Sequence, residues 1–185
     1  MVMPEFKKSK LMKKIMLITL VIASILACKN EVRYTQNSPE IETYKMVIKD
    51  YEVENWESMA THYSDTAKIL NNVTEKNAQT VAQLVAQNKQ DAALFSSWKY
   101  VPEESEYEMV VTDKGETWVN FWGLWQARLR ANEHLYEIPV HITARFMDGK
   151  IVKEHGYWDI SKLVLDLQTF QEAAPPKTKT AETQE

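Results

Sequence analysis

The spacing of apolar positions in this chain changes near residue 102. Before that point the period is helical. Ile41, Tyr44, Ile48 and Tyr51 recur three or four residues apart, which predicts a helix with one apolar face. Ser38-Pro39-Glu40 precedes it and supplies an N-cap followed by a proline at the first turn. Trp56, Met59 and Tyr63 predict a second, short helical piece. Ala67, Ile69 and Leu70 predict a short strand or extended link over Asp65 to Val73. From Thr74 to Trp98 the spacing is helical again, with Val81, Leu84, Val85, Asn88, Ala92 and Phe95 on one stripe and no Gly or Pro inside it.

After Pro102 the period shortens to two. Tyr107, Met109 and Val111 alternate with polar neighbours. Asp113-Lys114-Gly115 then reads as a hairpin loop with glycine in the left-handed position. A long strand is predicted from Thr117 to about Leu129, a turn near Asn132-Glu133, and a second long strand from Ile138 to Met147. Asp148-Gly149 turns the chain into a last strand, Lys150 to Asp159. Leu163, Val164 and Leu167 predict a short terminal helix. Helices followed by a run of antiparallel strands define an α+β chain, its helices on one face of a curved sheet.

The hairpin loops fix expectations for the two faces. With Met147 opposite Lys150, strict alternation sets Phe146 against Ile151, Ala144 against Lys153 and Ile142 against His155. Ile138, Val140, Ile142, Ala144 and Phe146 form an apolar face that must turn toward the helices. Alternation then carries Lys153, His155, Tyr157 and Asp159 onto that inner face, and Glu154 onto the other. The Asp113-Lys114-Gly115 loop similarly pairs Val111 with Thr117, Met109 with Val119 and Tyr107 with Phe121. Val110, Trp118, Asn120 and Trp122 share the outer face. Two tryptophans there suit a contact with a second copy of the chain, unless strand twist tucks one of them into the core.

The termini add a location. Lys7, Lys8, Lys10, Lys13 and Lys14 precede an apolar run from Ile15 to Ala27, shorter than the roughly 20 residues of a membrane-spanning helix. A basic start followed by a short apolar stretch is the pattern of a secretory signal. Ile25-Leu26-Ala27-Cys28 resembles a bacterial lipobox, although Leu26 stands where a small residue is usual. The resemblance implies cleavage before Cys28 and lipidation of that residue, the only cysteine in the chain. The alternative is an uncleaved anchor helix with a buried cysteine. The division expected is a signal over residues 1–27, a polar tether over 28–39, a folded domain over 40–172 and a disordered tail over 173–185. The expected location is the bacterial cell envelope, lipid-anchored, on the periplasmic side or the cell surface. Residues 1–27 hold five lysines and one acid, so the remainder carries 17 basic and 25 acidic residues, a net charge of −8. So acidic a domain is a poor partner for nucleic acid. His62, His134, His141 and His155 show no metal-ligand spacing, and none of the four glycines sits in a phosphate-binding loop. Neither a metal nor a cofactor is expected.

Several segments resemble the nuclear transport factor 2-like superfamily, especially its SnoaL-like branch. They are Asn55-Trp56-Glu57 with Tyr63-Ser64-Asp65, the hairpin Ala144-Arg145-Phe146-Met147-Asp148-Gly149-Lys150-Ile151, and Asp159 ahead of Leu163 and Leu165. The resemblance spans roughly residues 40–170. It implies a cone-shaped curved sheet wrapped around N-terminal helices, with a central pocket. Members of that superfamily include ketosteroid isomerase, limonene epoxide hydrolase and polyketide cyclases, and many others only bind or assemble. In the cyclases an aspartate at the position matching Asp159 is the acid/base. On that reading Asp159 moves a proton, His155 shares it, and Tyr157 steadies an enolate oxygen. Tyr63, Trp98, Ile142 and Phe146 would line the pocket. The competing reading makes Asp159 a helix cap, Tyr157 a core tyrosine and His155 a satisfied core histidine. Three functions follow: a lipoprotein domain that binds a small apolar or aromatic molecule, an isomerase- or cyclase-like enzyme using Asp159, or a dimeric interaction module.

Overall fold

The computed structural model describes residues 33–173. The expected signal, Cys28 with its expected lipidation, the first part of the expected tether and nearly all of the expected tail lie outside the described residues. Among the described residues no helix is long and apolar enough to cross a membrane.

The chain runs β1 (Tyr34–Thr35), α1 (Pro39–Glu52), α2 (Trp56–Thr61), β2 (Tyr63–Asn71), α3 (Val81–Ala92), β3 (Phe95–Tyr100), β4 (Glu106–Val111), β5 (Thr117–Leu129), β6 (Leu135–Met147), β7 (Lys150–Trp158) and α4 (Ser161–Ala173). The seven strands form one curved sheet in the order β1-β4-β5-β6-β7-β2, with β3 continuing along β5 beside β4. Helices and sheet enclose a single main core that includes Ile41, Tyr44, Met59, Ile69, Val119, Phe121, Ala144 and Ile151.

Helix α1 starts where its capping signal places it. The Ser38 hydroxyl accepts a hydrogen bond from the Ile41 amide at 3.2 Å, and Pro39 occupies the first turn. Ser38 is itself buried. Ser38→Ala should therefore cost about 1 kcal/mol, read as a lower urea midpoint with an unchanged slope.

One expectation gives way here. The predicted helix from Thr74 to Trp98 is real only over Val81–Ala92, and Phe95–Tyr100 is strand β3. Phe95 is buried, but from the sheet rather than from the helical stripe. Phe-Ser-Ser-Trp-Lys-Tyr is rich in aromatics, which favour a pleated surface, and β5 offers it a free edge from Trp125 to Leu129. The described end of the expected tether meets the sheet. Tyr34 and Thr35 pair with Val110 and Met109, and Arg33 meets Asp113 at 2.5 Å.

The hairpin β4–β5 keeps the register read from its loop, with Val111 opposite Thr117, Met109 opposite Val119 and Tyr107 opposite Phe121. The hairpin β6–β7 keeps it for two pairs only, Met147 with Lys150 and Phe146 with Ile151. The next pair is Arg145 with Lys153. Val152 is an extra residue on β7, a bulge that reverses the facing of everything after it. Ala144 then opposes Glu154, Ile142 opposes Gly156 and Val140 opposes Trp158. Glu154 and Gly156 point inward and are buried, and Lys153, His155 and Tyr157 turn to the outer face. The bulge keeps a lysine out of an apolar core, where an unpaired ammonium would be costly.

Gly156 is required by what lies over it. A Cβ added there would stand 2.3 Å from the Trp158 ring and 2.5 Å from Asn71 Oδ1. Gly156→Ala should destabilise the domain by about 1–3 kcal/mol through overpacking, measured as a fall in thermal midpoint.

Candidate functional site

Between the sheet and the helices lies a cavity of about 470 Å³. Its walls are aromatic and aliphatic. α1 contributes Tyr44, Ile48 and Tyr51, α2 contributes Trp56 and Met59, and the sheet contributes Trp98, Tyr100, Trp125, Ile138 and Ile142. Tyr51 organises one wall: its ring centroid is 6.0 Å from that of Trp56, 6.3 Å from Trp98 and 6.1 Å from Tyr100.

Glu154 is the polar group set into this apolar surface. It is 4 % exposed. Tyr63 donates its hydroxyl to Oε2 at 2.8 Å, and Tyr44 donates to the same oxygen at 3.4 Å. Oε1 has no partner among the described residues, and unlike the fully enclosed Asn71 Oδ1 it is not sealed from the cavity. Burial pushes the Glu154 carboxyl up to about 7, against the two tyrosine hydroxyls that favour its ionised form. The Tyr44 and Tyr63 hydroxyls are pushed well above their ordinary value, first by burial and then by the Glu154 charge. Each element supplies one part of this arrangement. The α1 stripe brings in Tyr44, the start of β2 brings in Tyr63, and the β7 bulge brings in Glu154.

The residues expected at the site separate into two groups. Tyr63, Trp98 and Ile142 line the cavity. Phe146 is buried in the core below it and is not part of the lining. His155 and Tyr157 are on the opposite face of the sheet, against the inward placement expected from strict alternation. There Tyr157 is 53 % exposed and its ring stacks between those of His141 and His155, each 6.3 Å away. Asp159 lies beyond the end of β7, exposed, and accepts from the Ser161 hydroxyl at 2.5 Å and the Ser161 amide at 2.8 Å. Those bonds hold its carboxyl below the usual value. This is the entry to α4, close to a helix-capping role, and opposite in sign to the raised pKa that a general base needs.

Glu154 is legible in the sequence only through a warning that strict alternation carries within it. The register that sends His155 inward also sends Lys153 inward without a buried partner. Ile151-Val152, two adjacent β-branched residues at the point where alternation fails, mark where the strand slips.

The chain has the nuclear transport factor 2-like, SnoaL-like cone fold. It resembles a solved protein assigned as a polyketide cyclase from Xanthomonas campestris pv. campestris, with a TM-score of 0.57 and 11% identity over 71% of this chain and 98% of that one. A SnoaL-like protein from Shewanella denitrificans, also assigned as a polyketide cyclase, superposes with a TM-score of 0.55 at 13% identity, over 72% of this chain and 99% of that one. A protein of ketosteroid isomerase-like fold from Catenulispora acidiphila, solved in complex with trimethylamine, gives 0.54 at 9% identity, over 67% of this chain and 90% of that one. At these identities the likeness establishes the fold alone. No protein-family model matches the sequence, and no curated protein sequence matches it.

Proposed function

We propose that this chain is a small-molecule-binding domain, held at a bilayer through lipidated Cys28, whose ligand is apolar or aromatic over most of its surface and carries one hydrogen-bond donor. The observation that carries the reading is the open Oε1 of Glu154 in the wall of a 470 Å³ aromatic cavity. That volume lies within the range of about 300–1,000 Å³ typical of ligand sites. A carboxylate oxygen that faces the cavity with no protein partner is available to a donor on the ligand, and hydrogen bonds to charged groups are among the stronger ones. The test uses 2-naphthalenemethanol, a flat neutral alcohol. Trp56, Trp98, Trp125 and Trp158 line the cavity, so binding should appear as saturable quenching of tryptophan fluorescence. Ile142→Trp should abolish it by filling the space. Absence of saturable quenching, or indifference to Ile142→Trp, would overturn the reading. Anchoring has its own test: Cys28→Ser should release the protein from the membrane fraction, and continued lipid labelling of that variant would contradict it.

Within the enzymatic alternative, the carboxyl in position for acid/base chemistry is Glu154 rather than Asp159. Turnover of any substrate that survived Glu154→Gln would exclude it. A second reading concerns the outer face, where Trp118, His155, Tyr157, His141 and Trp122 form a continuous aromatic ladder, the last pair 4.8 Å apart. This ladder is the surface on which a second copy of the chain would seat. Sedimentation should then show a dimer that Trp122→Glu converts to monomer. A wild type that is monomeric throughout would dismiss it.

A further inference from the structure

The charged residues of the cavity are all of one sign. Among the residues that line it there is no lysine, no arginine and no histidine, while Glu154 lies in its wall and Asp91 is among the α3 residues that border it. The remaining polar lining is amide, hydroxyl and indole N–H, all uncharged. A carboxylate or phosphate ligand would meet no counter-charge and would oppose Glu154 directly. A protonated amine would meet the reverse. Oε1 is free to accept its N–H, and the two tyrosine hydroxyls on Oε2 hold the carboxylate in place. The Tyr51, Trp56, Trp98 and Tyr100 rings supply π surface for the rest of the cation.

We infer that the cavity selects lipophilic amines, taken up as cations against the Glu154 carboxylate. This rests on the binding reading above and narrows it to one chemical class. The groups that face Glu154 from the packed elements are Tyr44 of α1, Tyr63 of β2 and Tyr100 of β3, and no basic residue is among them. Burial pushes the carboxyl up to about 7, so a bound cation must draw the proton off it. Affinity for an amine should therefore rise with pH up to about 7 and level off above, while affinity for a neutral ligand should not rise with it.

The test compares three naphthalene probes of one shape on the purified full chain at pH 8, by tryptophan quenching or calorimetry. 2-Naphthylmethylamine should bind about tenfold tighter than 2-naphthalenemethanol, the increment expected of a charge-assisted hydrogen bond, and 2-naphthoate should bind weakest of the three. Glu154→Gln should bring the ratio of amine to alcohol affinity to about one, whatever it does to either affinity alone. The wild-type comparison needs no variant, so the inference stays testable if Glu154→Gln fails to fold. If the alcohol binds and the amine binds no tighter, the selection for amines is wrong and the binding reading stands. If the acid binds as well as the amine, the electrostatic argument is wrong. If none of the three binds, both are overturned.

Discussion

Phe121→Ala should cost this domain about 3–5 kcal/mol, one of the larger losses open to a single substitution. Phe121 is fully buried on β5. Its ring centroid lies 4.8 Å from that of Tyr107, 5.1 Å from Tyr100 and 6.1 Å from Tyr44. It also covers Gly123, whose added Cβ would stand 2.4 Å from the Phe121 ring. Removing the ring loses the transfer free energy of the side chain and leaves a void that the stiff sheet cannot close. The second consequence is local. Tyr44, which rests on Phe121, also donates to Glu154, so the void loosens one of the two hydroxyls on that carboxylate. Urea unfolding should show the stability loss as a shifted midpoint, and 2-naphthalenemethanol affinity should fall with it. A loss under about 1 kcal/mol would mean that the helices and sheet repack around position 121 and that the ring is not a fixed point of the core.

Glu154 should make the domain less stable as pH rises from about 4.5 to about 7. Its carboxyl has an ordinary value of 4.5 when unfolded and about 7 when folded. Between those values the folded state holds the proton and the unfolded state has released it. The proton thus stabilises the fold fully below about 4.5, and that contribution fades as pH passes through 7. The shift corresponds to a difference on the order of 3 kcal/mol. Other groups act in other senses. Glu75 is held down to about 2 by Lys153 and Lys68, so its contribution is present above its unfolded value and is lost only as pH falls toward 2. His141 and His155 are lowered, chiefly by burial, so their contribution to stability rises with pH below the ordinary imidazole value of 6.5. The difference between wild type and Glu154→Gln cancels these and isolates Glu154. Plotted against pH, that difference should fall across the window from 4.5 to 7 and stay level outside it. A flat difference would mean that Glu154 is solvated in the folded chain.

Period alone is enough to read the helix-then-strand order, the capped start of α1 and the β4–β5 register. Each of those rests on a local signal: Ser38-Pro39, the spacing of Ile41, Tyr44 and Ile48, and the Gly115 loop. The parallel pairing of β2 with β7 is non-local and leaves no mark within either strand. The site is half legible for the same reason. Tyr63, Trp98 and Ile142 follow from residue type and face. Strict alternation sends His155 and Tyr157 to the wrong side because the backbone inserts a residue at Val152. The same step assigns Glu154 outward. Burying a carboxyl conflicts with simple patterning, and it is tolerated because Tyr44 and Tyr63 reach it from two other elements.

The bulge at Val152 also bears on how such a pocket changes over time. Beyond it, β7 carries two interleaved residue sets, one for each side of the sheet. Inserting a single codon beside Val152, with the one-residue bulge kept, would exchange them in one step, offering Lys153, His155 and Tyr157 to the interior and Glu154 to solvent. An acidic cavity would become a basic, imidazole-bearing one with no side chain replaced. For such a strand, a one-residue insertion changes ligand chemistry more than most substitutions within the pocket wall can, whereas deleting Val152 would only straighten it and leave Glu154 inward.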